Sequence, residues 1–478
     1  MAVLQRKFGA LRLPFVALIL FLTLVLFTGG GSRADIQSLI ILRPAAVIFC
    51  GIALWTLKME QVQAYKFLFG MAAALFGLTI LHLIPLPPSI WGALPGREIV
   101  TEIDKVAGLG DVWRPISLVP SATWNAFYSL FVPLALLLLG VQLTRDERFR
   151  LLPIVIGFGL LSGFWGLLQV IGDPQGPLYL YRVTNNGSAV GLFANRNHQA
   201  VLLAMLFPML AVYASAGIRT IEQSRVKVGM AIAAATVLVP LILVTGSRAG
   251  LIIGLVGLIS VVLLYRKPNI SAPKKRKGNK LDLRWLVGLF AVLCLGSVTI
   301  LASRAEALQR LFATDEQTDV RLQIWAPMVD MAWKYFPIGS GIGSFVPVYQ
   351  IDEPFDLLTP AYTNQAHNEL IEIYMTVGLP GLILLLIAAI ALARMAFSIF
   401  KAPLSEGRDI VFARLGIFVV FMQALGSIAD YPLRTPAHAA LFVIALLWFA
   451  EKRDAVSVDR GEREKRDGSQ TESRLVQA

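Results

Sequence analysis

The chain has 478 residues, 56% of them hydrophobic and only 15% charged, with a formal net charge of +12. Soluble domains carry roughly 25% charged residues, and no stretch between the apolar runs is long enough for an independent soluble enzyme domain. The surplus of Lys and Arg sits in short loops between those runs, so it is an orientation signal of a membrane protein and not a nucleic-acid footprint.

Twelve apolar segments follow one another at 13–30, 37–57, 67–85, 124–143, 151–171, 197–215, 228–245, 248–265, 284–302, 378–400, 410–429 and 436–450. Most reach the length needed to cross a hydrocarbon core of roughly 30 Å. They predict an all-α polytopic membrane helix bundle of about 12 transmembrane helices. Arg6, Lys7 and Arg12 precede the first segment as in a signal peptide, but no A-x-A cleavage pattern follows, which predicts a retained first helix. Cys50 and Cys294 fall inside apolar segments and read as core thiols.

Twelve spans put both termini on one side. Alternate gaps carry Lys58 and Lys66; Arg145, Arg148 and Arg150; Arg219, Arg225 and Lys227; and Arg394, Lys401 and Arg408. The gap 266–284 holds eight basic residues in 19 positions, whereas 304–366 has only Arg304, Arg310, Arg321 and Lys334. The bias predicts cytoplasmic termini and a periplasmic face bearing long loops at 86–123 and 303–366 and a shorter one at 172–196. The charged tail 451–478 lacks aromatics and reads as disordered.

Four places on the periplasmic face carry polar groups that a passive bundle does not need. Asn195-Arg196-Asn197-His198 opens the sixth span; Asn195 suits a helix N-cap, but a cap does not account for the Arg and His beside it. Gly246-Ser247-Arg248-Ala249-Gly250 joins the seventh and eighth spans. Arg248 there is either a snorkelling turn residue or a contact for an anion. In the large loop, Arg321, Ile324 and Trp325 are spaced as on an amphipathic helix lying on the membrane. The run Gly339-Ser340-Gly341-Ile342-Gly343 after them reads as a turn, because no strand precedes it as a phosphate loop requires. Last, His367-Asn368-Glu369-Leu370-Ile371-Glu372 opens the helix leading into span ten. An imidazole titrating near pH 6.5 suits removal of a proton from a sugar hydroxyl. No zinc-ligand spacing, nucleophile elbow or Walker loop is present, so positioned Arg, Asn and His groups acting without a metal are expected on an anionic, lipid-linked substrate.

The segments GLFANRNHQA (191–200), TGSRAG (245–250), the R-x-x-x-W helix from Arg321 with FPIGSGIGSF (336–345), AHNELIEIYMTVGLPG (366–381) and DYPLRTPAH (430–438), in this order, resemble the O-antigen ligase and O-antigen polymerase superfamily of bacterial envelope glycosyltransferases. The resemblance covers roughly 151–450, including the loop 303–366; spans within 1–150 are the variable part. It implies a GT-C-like bundle in the bacterial inner membrane, with its active site facing the periplasm. It also implies transfer of a glycan from a polyprenyl-diphosphate carrier to an acceptor sugar, with inversion and with no cofactor or metal. The acceptor is the lipid A core for a ligase or another lipid-linked glycan for a polymerase. A flippase and a chain-length regulator are the partners implied. Carried over by motif, His367 is the general base, although His198 stays open for that role. Arg248 and Arg321 hold the diphosphate, Arg196, Asn197 and His198 line the cavity, and Glu369 and Glu372 support the His helix. Arg434 is a weaker candidate. The NRNH and DYPLR variants resemble exopolysaccharide polymerases more than core ligases. The competing readings are a flippase or other transporter, for which Arg43 in the second span is the main charged candidate, and a non-catalytic assembly subunit.

Overall fold

The computed structural model describes residues 12–110, 112–218, 220–267, 316–358, 362–402 and 408–450, with the backbone alone for 316–322. The expected ninth span, 284–302, and the tail 451–478 lie outside the described residues. The other eleven expected spans are helices. With two loop helices among them, they run in chain order: α1 (Leu13–Thr28), α2 (Leu39–Thr56), α3 (Lys66–Leu81), then the loop helix α4 (Glu98–Val106) in the first long loop, and α5 (Pro120–Ser129, continued by Phe131–Gly140). There follow α6 (Arg145–Ile171), α7 (Arg196–Ser215), α8 (Ile221–Val244), α9 (Arg248–Leu264), the loop helix α10 (Glu316–Tyr335), α11 (Glu369–Lys401), α12 (Arg408–Ala429) and α13 (Pro436–Phe449). Seven of these are long and apolar enough to cross a membrane, and α1, α3, α9 and α13 are shorter apolar helices. A two-residue ribbon, β1 (Pro85–Leu86) with β2 (Arg114–Pro115), closes the first long loop.

The helix starts follow from their caps. Thr144 and Glu147 form a capping box that begins α6 six residues before its apolar run. Asn195, Ser247, Asn368 and Thr435 cap α7, α9, α11 and α13 through side-chain oxygens. In a bilayer every backbone group must be satisfied within the protein, so capped helices are the form these apolar runs must take.

The centre of the bundle is α7, nearly every residue of which is buried. An all-round apolar helix belongs there. Helix α9 crosses it closely because Gly250 and Gly257 carry no Cβ. One on Gly250 would stand 2.3 Å from Ala200 Cβ, and one on Gly257 2.7 Å from the Ala204 carbonyl oxygen. A single apolar core runs from Phe15 to Ala450, so the N-terminal spans share it with α13. By contrast almost none of the apolar length of α11 is buried, as suits a face turned to lipid.

The two ends of the bundle differ. At one end Arg12 pairs with Glu147 at 3.3 Å and Arg145 with Asp409 at 3.0 Å, while Arg408 binds Asp146. Arg414 Nη2 donates there to the Ala402 carbonyl at 2.9 Å, at the C-terminal end of α11. At the opposite end lie the caps of α7, α9, α11 and α13 and every polar cluster read from the sequence. Arg43, the charge that a transporter reading would use, donates to Asn125 and Ser129 of α5.

The large loop departs from expectation in one respect. The apolar stripe of α10 does not lie on the membrane: Ile324, Met328, Met331, Ala332 and Tyr335 pack into a second core with Phe345, Val348, Tyr349 and Met375. Burial against protein on that face removes more apolar surface from water than an interfacial position could.

Candidate active site

Three helix ends converge at this mouth: the start of α7, the start of α11, and the turn between α12 and α13. The turn carries Asp430, whose side chain is 3% exposed. Its Oδ2 accepts from Asn195 Nδ2 at 3.0 Å and Asn197 Nδ2 at 2.6 Å, and its Oδ1 from the Tyr431 amide at 3.0 Å. The same Oδ1 lies 3.2 Å from His367 Nδ1 and 3.7 Å from His198 Nε2. Burial would raise the Asp430 carboxyl, but His198 and His367 hold it well below the usual carboxylate range. Tyr431 stands between the two imidazoles, its ring centroid 5.1 Å from that of His198 and 5.0 Å from that of His367.

The two histidines are not equivalent. His198 is 1% exposed, and its carbonyl oxygen lies 3.0 Å from Nε2 of the equally buried His438. The His367 side chain keeps 23% of its surface. Its backbone sits in the left-handed region at φ +52°, a conformation that non-glycine residues adopt sparingly and that recurs at functional sites. With Nδ1 turned to a carboxylate, Nδ1 carries the proton and Nε2 the lone pair. Among the described residues, Nε2 has no hydrogen-bond partner. An orienting carboxylate, an imidazole and an accessible nitrogen make up a general-base arrangement.

The backbone next to His367 is fixed on both of its polar groups. The Ala366 amide donates to Glu372 Oε2 at 3.0 Å, and its carbonyl accepts from Trp325 Nε1 at 3.1 Å. Glu372 in turn meets Arg434 Nη1 at 2.7 Å, while Glu369 takes Arg434 Nε and Nη2 at 2.7 and 2.8 Å. Burial opposes the Arg434 charge, yet Glu369 and Glu372 raise its affinity for the proton above the ordinary arginine value. Arg434 is thus a clamp on the His367 helix and not an interfacial residue.

The glycine-rich run 339–343 is a strap. Ser340 and Gly341 donate backbone N–H bonds to the Met375 and Thr376 carbonyls at 3.0 and 2.8 Å, and the Leu379 amide donates to the Pro337 carbonyl at 2.8 Å. It fits a break in α11 at Gly378 (φ +65°), where a Cβ would meet the Pro337 carbonyl oxygen at 2.2 Å. The strap is also held from the first long loop and from the end of α3. Arg97 Nη2 donates to the Gly339 carbonyl at 3.0 Å, and the Ile342 amide donates to His82 Nδ1 at 3.1 Å.

Arg196 and Arg248 begin α7 and α9, and both are partly buried. A Cβ on Gly246 would lie 3.7 Å from Arg196 Nη1, so that guanidinium rests against the turn that leads into Arg248. Helix N-termini and guanidinium groups together are chemistry that would suit an anion. Arg321 lies in α10 one turn before Trp325; its side chain is outside the described residues. Asn197 and His198 face Asp430 from inside.

Asp430, Tyr431 and the carboxylate-binding role of Asn195 were not singled out from sequence. The available signal was one acidic residue, in DYPLR, at the mouth of an apolar run and at the end where charges are sparse.

Residues 233–386 match the family model described as O-antigen ligase. The matched segment takes in α9, α10, the strap and His367, and stops short of Asp430 on one side and of Asn195–His198 on the other. No curated protein matches the chain.

Proposed function

We propose, from the premise that this chain belongs to the O-antigen ligase/polymerase superfamily, that it transfers a glycan from a polyprenyl-diphosphate carrier to an acceptor sugar hydroxyl. The observation that carries the reading is the His367–Asp430 pair at an accessible bundle mouth. In the proposed step His367 Nε2 removes the proton from the acceptor hydroxyl as that oxygen attacks the anomeric carbon. The bond from that carbon to the carrier phosphate breaks, and polyprenyl diphosphate leaves with the electron pair, which inverts the centre. Asp430 stabilises the imidazolium that forms. Arg248 and Arg321, with Arg196 beside the same turn, meet the charge on the departing diphosphate. No resident metal takes part in this scheme.

The basic residues gathered at the opposite end support cytoplasmic termini and a site facing the periplasm across the inner membrane. The NRNH and DYPLR segments favour a polymerase, whose acceptor is a second lipid-linked glycan, over a ligase acting on the lipid A core. A flippase that delivers the donor and a chain-length regulator are the partners that such a reaction calls for.

The test has two parts. His367→Ala should accumulate in the membrane at the wild-type level and form no polymer; normal long-chain glycan in that strain would overturn the assignment. In a deletion strain, single-repeat products on the cell surface indicate a polymerase, and loss of all attachment to lipid A indicates a ligase. A block before the periplasm would instead indicate a flippase.

A further inference from the structure

Helix α4 lies outside both apolar cores, and none of its residues is buried. Yet it is amphipathic: Ile99, Ile103 and Val106 recur at four- and three-residue spacing, with Glu98 ahead of them and Glu102 and Lys105 between them. Ile103 is 57% exposed and Val106 91%. Beyond the helix Leu109, Val112 and Trp113 are exposed as well, the last at 61%. Such a face in water needs a partner.

The segment is not a loose loop. Arg97, fully buried just before the helix, donates to the Pro95 and Ile116 carbonyls at 2.8 and 2.7 Å. Arg114 Nε binds Asp104 Oδ2 at 2.9 Å, and Trp91 Nε1 donates to the Pro115 carbonyl at 2.8 Å. Arg114 and Pro115 belong to the β1–β2 ribbon and Ile116 follows it, and the ribbon begins four residues beyond the end of α3. A nine-residue helix spans roughly 14 Å, so the tethers keep α4 beside the span ends. The span ends there also expose apolar side chains: Leu81 ends α3, Ile84 and Ile90 follow it, and Trp124 lies in the second turn of α5, all exposed. Trp is the side chain that favours the zone between headgroups and acyl chains.

We propose that the Ile99–Ile103–Val106 face of α4, with Trp113, docks into the interfacial zone of the bilayer leaflet next to the candidate site. The occupant is lipid because the tethers hold this face at the ends of spans whose own apolar side chains are exposed. Its polar side bears both acids and a lysine and so favours apolar insertion over headgroup charge. Through Arg97, which also binds the Gly339 carbonyl, the docked helix sets the height of the strap, and with it of the α11 start, against the leaflet.

The test uses the full chain in lipid nanodiscs with Cys50 and Cys294 replaced by Ala and one cysteine introduced at Ile103, Val106 or Glu102. Each carries an environment-sensitive fluorophore and is challenged with a nitroxide on the upper acyl chain and, separately, with aqueous iodide. Probes at Ile103 and Val106 should be quenched several-fold more by the lipid nitroxide than by iodide, with the reverse at Glu102. Iodide quenching at Ile103 equal to that at Glu102 would overturn the proposal. So would protection from both quenchers, which would point to a second protein copy on this face. The same quenching measured in His367→Ala separates this result from the fate of the transfer reaction.

Discussion

Asp430 Oδ1 lies 3.2 Å from His367 Nδ1 although 63 residues separate the two in sequence. The other carboxylate oxygen is taken by the amides of Asn195 and Asn197. Asp430 is therefore locked, and the imidazole is oriented by it. Replacing Asp430 by Asn keeps the shape but lets the ring adopt the other tautomer. Transfer should fall on the order of 10²–10⁴-fold, with the membrane level of protein unchanged. His367→Ala combined with Asp430→Asn should be no worse than His367→Ala alone, because the pair acts as a unit. A single-turnover assay with lipid-linked donor checks both, and additive losses would remove Asp430 from the positioning role.

Acid stability carries two signatures of opposite origin. His82 must be neutral at Nδ1 to accept from Ile342, and burial together with Arg97 lowers its pKa to about 4. In the unfolded chain it titrates near 6.5, so between those values the unfolded state binds more protons. Stability then falls as pH drops from about 6.5 towards 4. Asp430 is depressed from the ordinary carboxylate value, so its contribution is complete above the unfolded value of about 3.9 and is lost only below it. Thermal unfolding followed across pH should show the first slope reduced in His82→Gln and unchanged in Asp430→Asn.

The Arg434 clamp makes a different prediction. Glu372 is 1% exposed and Arg434 26%, so Arg434→Ala strands a buried carboxylate. Breaking such a pair costs roughly 3–5 kcal/mol, seen as a lowered thermal midpoint and reduced protein level. Adding Glu369→Gln and Glu372→Gln should restore much of that stability without restoring full transfer. An Arg434→Ala protein as stable as wild type would show that the clamp is not structural.

Gly378 adopts φ +65° and faces the Pro337 carbonyl oxygen, with no space for a Cβ. Gly378→Ala should destabilise by more than the roughly 1–3 kcal/mol of left-handed strain alone, because the strap must also move. Limited proteolysis near 337–343 should accelerate in this variant and not in Gly77→Ala, where nothing lies within 4 Å of the added Cβ.

The spans were legible in the sequence because lipid imposes one rule, a continuous apolar run in helical form, and that rule acts locally. Eleven expected segments are helices, and caps such as Thr144 and Asn195 explain where they begin. The motifs also drew attention to Arg248, His367 and Glu372, which stand where charge is costly and so call for an explanation. The partners of His367 and Glu372 lay beyond sequence. Arg434 looks interfacial in DYPLR and is in fact divided between Glu369 and Glu372. The α10 stripe suits a membrane surface and packs instead on Met375. Local periodicity reports that a face is apolar, never what covers it. Likewise, the residues at the candidate base announce a chemistry, but only the meeting of α7, α11 and the α12–α13 turn decides that His367 is the accessible imidazole and His198 the buried one.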